Sequence, residues 1–377
     1  MKDCIGIINS NYGGYSDNRD FGALSESRPD YMIPFGGRYR IIDFALSALS
    51  NYSMSRVMLF GGNNIRSTLD HVGDGKNWEM NRRNNGLFIN PPSKTWEHHP
   101  SVIQTYYDAI PFFEESNGAN VHIMNPMMIT KADLEEAYQR FLEQDDDVML
   151  FYKNMEDHEG LYTNMKKLIL DENHEFINMG INLGTNAAFP LYLERLFIKR
   201  SVFVDLVKRS LERGSATTLI EAINNEKNRL NIGVYEVTAP VLVIHDIYSY
   251  FQANMSLLDQ NLYQEIFYRD NMIYTKSKDE PSTLYSDTAH VHNSLVANGC
   301  MVEGQVENSI LFRGVHVKKG AIVRNSILNE NTTVGADAVV VNTITDKQAV
   351  IETGVTLAGA YAHPFVVGKK EVISRLL

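Results

Sequence analysis

Two spacings of apolar residues divide the chain. Over the first 260 residues, short apolar runs alternate with stretches whose apolar residues recur at helical spacing. The runs predict buried strands at residues 5–8, 57–60, 121–124 and 148–152. The helical stretches are residues 41–50, 132–143 with Thr130 as its N-cap, 202–211 and 247–258. This alternation is typical of an α/β fold with a doubly wound, mostly parallel sheet, in which ligands bind beyond the carboxyl ends of the strands.

A different period begins near residue 293. Four similar tetrapeptides start at Asn293, Asn308, Asn325 and Asn342, at spacings of 15, 17 and 17 residues. Within this region one residue, usually apolar, recurs at every fifth or sixth position: Val296, Met301, Val306, Leu311, Val317, Val323, Leu328, Val334, Val340, Thr345, Ile351 and Leu357. Such a period predicts a prism of short strands with one inward side chain per face. It resembles the hexapeptide-repeat, left-handed parallel β-helix, with about four coils of three faces each.

Charge and composition support a chain of two parts. The segment 270–290 is polar and contains Pro281, which predicts a domain 1–265, a linker 266–289 and a β-helix domain 290–377. The chain has 35 basic and 46 acidic residues, but residues 285–377 hold eight of each, so the whole acidic excess precedes residue 285. An acidic chain is not typical of a nucleic-acid-binding protein. No apolar stretch of about 18 residues is present, so we expect no membrane span.

The cysteines and the N-terminus bear on the cellular compartment. Cys4 and Cys300 are the only cysteines, which excludes a disulfide framework and a thiolate zinc cluster. Met1 to Cys4 lead directly into an apolar strand, so we expect no signal peptide and a cytoplasmic location.

The most specific motif is residues 34–47, Pro-Phe-Gly-Gly-Arg-Tyr-Arg-Ile-Ile-Asp-Phe-Ala-Leu-Ser. It resembles the segment that follows the nucleotide loop in glucose-1-phosphate adenylyltransferases. Residues 250–255, Tyr-Phe-Gln-Ala-Asn-Met, resemble the stretch after the second metal-binding Asp of that family. A nucleotidyltransferase domain followed by a left-handed β-helix is also the architecture of this family. The resemblance implies the transfer of adenylyl from ATP to glucose 1-phosphate, with release of pyrophosphate, in glycogen biosynthesis.

The residues that this reaction needs are missing at the matching positions. A basic residue is expected before Phe35, where this chain has Asp30, and the two metal-binding Asp residues are replaced by Pro126 and Val243. Neither proline nor valine can bind Mg²⁺, because this ion takes oxygen ligands. Asp246 would supply a carboxylate only if the register shifted by three residues.

The remaining pocket is reduced as well. The family loop Gly-Gly-x-Gly-x-Arg-Leu is matched only by Gly13 and Gly14, and the register of residues 9–27 against it stays open. The lysine that binds the sugar phosphate in the family is absent from the stretch before Gly180, which lies in a Met-Gly-Ile turn of the family. A vestigial ligand pocket would therefore be formed by Gly13, Gly14, Asp108, Gly180 and Asp246.

Losses at several positions within a retained scaffold resemble the noncatalytic, GlgD-type companion subunit of Gram-positive bacteria. This resemblance implies a heterotetramer with a catalytic adenylyltransferase subunit. It also implies that this chain binds no cofactor and that its partner uses the Mg²⁺.

The resemblance further implies an effector site. Arg28 and Arg40 occupy positions where the family uses basic residues for a sugar-phosphate activator, and Arg313, His316 and Lys370 could complete an anion site. Pairing of Arg40 with Asp43 is the alternative structural role.

Three other functions remain open. The chain could be a weakly active, divergent adenylyltransferase that uses Asp246, or an effector-binding scaffold alone. The third is a hexapeptide acyltransferase, which would need a catalytic histidine such as His290 or His292.

Overall fold

The computed structural model describes residues 1–10, 20–54, 56–62, 64–81, 85–91 and 101–374. Contacts group the chain into two compact units. Unit 1 comprises Met1–Asn18, Ala45–Gly62 and Gly73–Val241, and unit 2 comprises Arg19–Phe44, Asn63–Val72 and Leu242–Leu377. These units alternate along the chain, whereas the domains 1–265 and 290–377 are contiguous stretches and stay a prediction.

Within the described residues, thirteen strands precede the solenoid. They are β1 (Cys4–Asn9), β2 (Pro34–Phe35), β3 (Tyr39–Arg40), β4 (Arg56–Phe60), β5 (Gly86–Asn90), β6 (Asn120–Met124), β7 (Met128–Thr130), β8 (Val148–Glu156), β9 (Lys166–Leu170), β10 (Phe176–Ile181), β11 (Ala188–Lys199), β12 (Ile232–Glu236) and β13 (Val241–Val243). The α-helices are α1 (Ile41–Asn51), α2 (Arg66–Val72), α3 (Val102–Asp108), α4 (Ile110–Glu114), α5 (Leu134–Glu143), α6 (Arg200–Arg213), α7 (Leu219–Asn225), α8 (Ile247–Ser256) and α9 (Gln260–Phe267). Short 3₁₀ helices lie at Gly22–Leu24, Asp30–Met32, Lys76–Trp78 and Lys227–Arg229.

Unit 1 is built on a nine-stranded sheet in the order β10-β9-β11-β6-β1-β4-β5, with β8 beside β11 and β12 beside β8. The predicted parallel sheet is confirmed, because β6, β1, β4 and β5 run parallel to one another. The long strand β11 then runs antiparallel to β6 and β8. All four predicted strands and all four predicted helices are present, as β1, β4, β6, β8, α1, α5, α6 and α8.

The predicted N-cap of α5 is wrong. Thr130 ends β7, and the helix begins only after Asp133, whose carboxylate accepts the main-chain N–H of Glu136 at 3.0 Å. Both residue types cap helices well, so the sequence alone does not decide between them. The start of the helix is determined by the short strand β7, because Thr130 belongs to this strand and its backbone is extended.

The solenoid of unit 2 consists of three parallel sheets with six, five and five strands. Its strands are β14 (Leu284–Tyr285), β15 (His290–His292), β16 (Leu295–Val296), β17 (Met301–Val302), β18 (Gln305–Glu307), β19 (Ile310–Leu311), β20 (His316–Val317), β21 (Ile322–Arg324), β22 (Ile327–Leu328), β23 (Thr333–Val334), β24 (Val339–Val341), β25 (Thr343–Thr345), β26 (Val350–Ile351), β27 (Thr356–Ala358), β28 (Phe365–Val367) and β29 (Val372–Ile373). This is the predicted left-handed parallel β-helix.

The described part of the solenoid has five complete coils and a further strand, so the predicted number of four is too small. The first coil begins with β14, inside the segment predicted as a linker. Of the predicted inward residues Met301 is wrong, since it is 43% exposed and its neighbour Val302 is the buried residue. Val302 pairs with Val317, which places it in the inward column of its sheet.

The four tetrapeptides form one corner of the prism. Their asparagines all have positive φ, between 41° and 47°, a conformation that asparagine tolerates better than most residues. The serine hydroxyls after the first three asparagines link consecutive coils, because each accepts a main-chain N–H of the next coil. Ser326 Oγ, for example, accepts the N–H of Thr343 at 3.2 Å and donates within its own coil to the carbonyl of Arg324 at 2.7 Å. The sequence repeat is therefore a repeat of corner hydrogen bonds.

Residues 34–44 of the most specific motif also belong to unit 2. Strands β2 and β3 pair through a turn in which Gly36 and Gly37 have φ of 61° and 81°. The N–H of Gly36 donates to Asn254 Oδ1 at 3.0 Å, and Tyr250 Oη donates to the carbonyl of Pro34 at 2.7 Å. The two motifs that resemble the family thus pack on each other.

Within the described ranges, no helix has both the length and the apolar character needed to cross a bilayer.

Candidate functional site

In unit 1, asparagine side chains lie at the carboxyl ends of two parallel strands. This is the edge at which open parallel sheets usually bind their ligands. Asn9 ends β1, is 3% exposed, and donates from Nδ2 to Tyr106 Oη at 3.0 Å. Asn125 follows β6, is 2% exposed, and donates from Nδ2 to the carboxylate of Glu194. Burial raises the pKa of Tyr106, so its phenol stays protonated. These groups bond one another inside the protein.

The position expected to hold the first metal ligand is buried Pro126, directly after Asn125. A carboxylate does lie nearby, on β11. Glu194 has φ of 46° at an irregularity of this strand, is 7% exposed, and accepts from Asn125 through both its side chain and its main chain. Sequence reasoning missed Glu194. The available signal was a pair of charged residues, Glu194 and Arg195, within the apolar strand β11.

Of the other predicted pocket residues of unit 1, Asp108 and Gly180 are described, and they lie on separate elements. Asp108 is the exposed last residue of α3 and accepts from Gln104 Nε2 at 2.8 Å. Gly180 is a residue of the strand β10 rather than of a turn, opposite Lys167 of β9. Gly13 and Gly14 lie outside the described residues.

In unit 2 the second metal position is also apolar. Val243 ends β13 and is 7% exposed. Asp246 is the N-cap of α8, where its Oδ1 accepts the N–H and the hydroxyl of Ser249, each at 2.7 Å. Asp30 begins a 3₁₀ helix and places a carboxylate where a phosphate-binding cation was expected. Among the described residues there is no group of three or more His, Cys, Asp or Glu side chains that could hold a metal ion.

Arg28 has a structural partner in the β-helix. Its guanidinium donates to both carboxylate oxygens of Asp346, each at 2.9 Å, and the side chains are 3% and 0% exposed. Asp346 also accepts the main-chain N–H of Lys347 at 2.7 Å. This bidentate pair joins the N-terminal segment of unit 2 to the solenoid, at the point where the fourth coil leads into the fifth.

Arg40 lacks such a partner. Its main-chain N–H donates to Asp43 Oδ2 at 2.9 Å, while its guanidinium donates to the carbonyl of Met32 at 2.6 Å. The other oxygen of Asp43 binds His71 Nε2 at 2.6 Å. No carboxylate of the described residues lies within 4.0 Å of the Arg40 guanidinium, and burial lowers the pKa of this group. Arg40 therefore has charge and donors available for an anion.

Two lysines and a glutamate adjoin Arg40. Lys347 Nζ and Lys278 Nζ lie 2.7 Å and 3.1 Å from Glu330 Oε2. Burial, and then the charge of Arg40, lower the pKa of Lys347 to about 8, against the attraction of Glu330. Burial alone would raise the pKa of Glu330, but Lys347 and Lys278 lower it to about 2. We refer to Arg28, Arg40, Lys278 and Lys347 as the cation cluster.

The remaining predicted cations have other partners. Arg313 Nε lies 3.5 Å from Glu280, and His316 Nε2 lies 3.3 Å from Glu303. Lys370 is exposed, and its main-chain N–H donates to the carbonyl of Lys347 at 2.9 Å. The structure thus places Arg28 and Arg40 in one cluster and Lys370 next to it along the backbone. Arg313 is paired with Glu280, and His316 with Glu303.

Sequence reasoning missed Lys278, Glu330 and Lys347. They come from the segment before the first coil and from two successive coils, where a main-chain hydrogen bond joins Gln348 to Glu330. The 17-residue repeat was the available signal, because it predicts that residues 330 and 347 stack.

Both parts of the architecture match known families. The family described as nucleotidyl transferase matches residues 21–161, and the family described as GlmU-like, C-terminal hexapeptide matches residues 282–362. The fold and the repeat therefore define a nucleotidyltransferase domain joined to a hexapeptide-repeat β-helix.

Relatives along nearly the whole chain narrow this class. The glycogen biosynthesis protein GlgD of Bacillus subtilis (strain 168) is 31% identical over 356 residues, 94% of this chain and 93% of the relative. GlgD of Geobacillus stearothermophilus is 33% identical over 359 residues, 93% of this chain and 94% of the relative. The glucose-1-phosphate adenylyltransferase of Clostridium perfringens (strain 13 / Type A) is 29% identical over 366 residues, 93% of this chain and 92% of the relative. The chain belongs to the family of GlgD and the glucose-1-phosphate adenylyltransferases, which is related to glycogen biosynthesis.

Proposed function

We propose that this chain is a regulatory subunit of a glucose-1-phosphate adenylyltransferase in glycogen biosynthesis, with little or no transfer activity of its own. The observation that carries the proposal is the chemistry at the two metal positions. Pro126 and Val243 are buried and contain no oxygen in their side chains. A nucleotidyl transfer assisted by Mg²⁺ requires carboxylates at these places.

The described residues do not fit a bound Mg²⁺. Asp246 has one carboxylate oxygen engaged as a helix cap, and Glu194 is buried and bonded to Asn125. Neither forms part of a cluster of three ligands within the described residues. We therefore derive no catalytic step for this chain and assign the metal, ATP and glucose 1-phosphate to a catalytic partner.

The regulatory part of the proposal rests on the cation cluster. Guanidinium and ammonium groups that converge on one place bind phosphate oxygens through charge-assisted hydrogen bonds. Arg40 supports this role, because its half-buried guanidinium donates to a neutral carbonyl and to no carboxylate of the described residues. We propose that a sugar phosphate or another small anion binds there and that Lys278 and Lys347 contribute.

The proposed partner is a catalytic adenylyltransferase chain in a mixed oligomer, a heterotetramer by family resemblance. The names of the relatives support this partnership. Exposed apolar residues on the first coil support a subunit contact, as Leu284, Tyr285 and Val291 are 61%, 50% and 38% exposed. The chain has a net charge of −11, which disfavours binding to nucleic acid, so the proposal includes no nucleic-acid partner. The proposed location of the oligomer is the cytoplasm.

The deciding experiment is an assay of pyrophosphate release. The purified chain is mixed with Mg²⁺, ATP and glucose 1-phosphate, alone and together with a catalytic adenylyltransferase of the same organism. We expect no turnover alone and a changed rate or effector response in the mixture. Turnover of the chain alone at about 1–10³ s⁻¹ would refute the noncatalytic role.

The alternative, a weakly active divergent adenylyltransferase, is tested with the variant Asp246→Asn. The Asp246 side chain is 43% exposed, so its second oxygen could meet a metal. Asp246→Asn keeps the helix cap, since asparagine caps as well as aspartate. If the chain alone shows activity and Asp246→Asn abolishes it with the fold intact, the alternative is correct.

A further inference from the structure

The carboxylates around the cation cluster differ in how firmly they are held. Asp346 is fully buried and receives the Arg28 fork together with a main-chain N–H. Asp43 is also fully buried and receives His71 together with the main-chain N–H of Arg40. These two carboxylates are part of the framework of unit 2.

Glu330 is held differently. Its carboxylate is bound by two lysine ammonium groups, and its side chain is 14% exposed. Lysine side chains are flexible and their ammonium groups can turn toward another acceptor. Of the three carboxylates, Glu330 is therefore the one that an incoming anion can replace.

The balance of charge makes this replacement significant. Arg28, Arg40, Lys278 and Lys347 bring four positive charges, and Asp43, Asp346 and Glu330 bring three negative charges. Burial lowers the pKa of His71, so this ring adds little charge at neutral pH. The surplus is one positive charge, and Glu330 cancels charge directly beside Arg40.

We infer that Glu330 is an internal counter-ion that occupies the anion site and competes with a phosphate-bearing effector for Lys278 and Lys347. This inference rests on the anion site of the proposed function. The bound anion displaces the Glu330 carboxylate from both lysines without any covalent change. Glu330 thus sets the concentration at which the site responds.

Neutralising the Glu330 carboxylate should raise the affinity of the site for phosphate. A negative unit charge about 5 Å from a phosphate, at an effective dielectric constant of about 20, repels the phosphate strongly enough to lower its affinity at least about tenfold. We therefore expect Glu330→Gln to bind inorganic phosphate at least about tenfold more tightly than the natural chain. Glu330→Asp keeps the charge and stays close to the natural affinity.

The experiment is isothermal titration calorimetry of the full chain with inorganic phosphate at constant ionic strength. Glu307→Gln is the matched control, because Glu307 also pairs with a cation of the β-helix, Arg324, at 3.0 Å. We expect an unchanged affinity for this control. Arg40→Ala tests the site itself and should abolish binding, and thermal unfolding of each variant checks the fold.

The outcomes separate the two ideas. If the natural chain binds phosphate and Arg40→Ala does not, while Glu330→Gln binds no more tightly, the role of Glu330 is overturned and the anion site stands. If no variant binds phosphate, including Glu330→Gln, both are overturned.

A second variant covers the case in which Glu330→Gln fails to fold. Lys278 is 41% exposed, so Lys278→Met should be tolerated. Because phosphate takes Lys278 from Glu330, this variant should bind phosphate several-fold more weakly, and an unchanged affinity would overturn the inference.

Discussion

At the scale of single residues, Arg28 shows how a partner determines a role. The sequence offers an arginine at a position where the family binds an activator. The structure gives this arginine a bidentate bond to a carboxylate that is 0% exposed. A guanidinium so engaged stabilises unit 2, whereas the neighbouring Arg40 keeps its donors for other acceptors.

Arg28→Ala should therefore lower the free energy of unfolding. The substitution leaves the buried Asp346 carboxylate without its cation, which typically costs about 3–5 kcal/mol. Urea unfolding measures the loss. The double variant Arg28→Ala with Asp346→Ala should recover part of it, because no unpaired charge remains. An unchanged midpoint for Arg28→Ala would show that the pair contributes nothing.

Asp146 gives stability a dependence on pH. It is 3% exposed, its Oδ2 has no hydrogen-bond partner among the described residues, and burial raises its pKa to about 6. The unfolded pKa is about 3.9, so the folded state binds this proton more tightly. The contribution to stability is therefore complete below about pH 4 and is lost as the pH rises toward 6.

Asp146→Asn should stabilise the protein at pH 7.5 by about 1–3 kcal/mol, because the amide has no charge to bury. The gain should shrink as the pH falls toward 5, and urea unfolding at both pH values measures it. Asp145→Asn is the control, since the Asp145 side chain is 89% exposed and should show no such gain. A gain that does not depend on pH would contradict the assignment to Asp146.

At the scale of elements, periodic patterns were predictable and their ends were not. The solenoid was recognisable because each coil repeats one inward residue per face. The first coil was not predicted, and its inward residues Tyr285 and Val291 are exposed in the structure. The last coil was not predicted because residues 359–364 interrupt the period. Met301 and Val302 are both apolar, so hydrophobicity alone could not choose between them.

The candidate sites were predictable to different degrees. The predicted loss of metal ligands came from the sequence alone, because Pro126 and Val243 were counted from neighbouring motifs that resemble the family. The 17-residue repeat places Glu330 beside Lys347, but Lys278 could not be paired with them from sequence, because side-chain direction in the segment before the first coil depends on how that segment runs along the coils. Their ion pairs exist only in the folded unit.

The corner hydroxyls permit a test of an element. Ser326 is 0% exposed, and Ser326→Ala removes an acceptor for Thr343 N–H and a donor to the carbonyl of Arg324. A buried N–H left unpaired costs about 1–3 kcal/mol. We expect lower thermal stability and faster amide hydrogen exchange at Thr343. Ser294→Ala, on the half-buried first coil, should cost less, and equal losses would contradict the corner as the cause.

At the scale of the whole molecule, the strongest family likeness lies where it supports the fold. The motif at residues 34–44 forms the β2–β3 hairpin, and α8, which carries the second motif, bonds to it through Tyr250 and Asn254. These contacts require the motif residues whether or not the chain transfers adenylyl groups. The same molecule has the apolar residues Pro126 and Val243 at the two positions where the family resemblance predicts metal ligands. Likeness in the motifs therefore indicates architecture, and activity has to be judged at the metal positions.

A regulatory subunit should act through its anion site on the activity of the mixed oligomer. Arg40→Ala removes a guanidinium that has no carboxylate of the described residues within 4.0 Å, and one charge-assisted hydrogen bond is worth about 1.5–3 kcal/mol. We expect the activation curve of the mixed oligomer, measured with glucose 6-phosphate and inorganic phosphate as probes, to shift at least about tenfold to higher concentration. The basal rate without effector should remain, because the proposed function assigns the catalytic residues to the partner. Arg324→Ala is the control, as this exposed side chain pairs with Glu307 on the β-helix and should leave the curve in place. A curve that is the same for Arg40→Ala and the natural chain, with both oligomers assembled, would refute the regulatory role of this site.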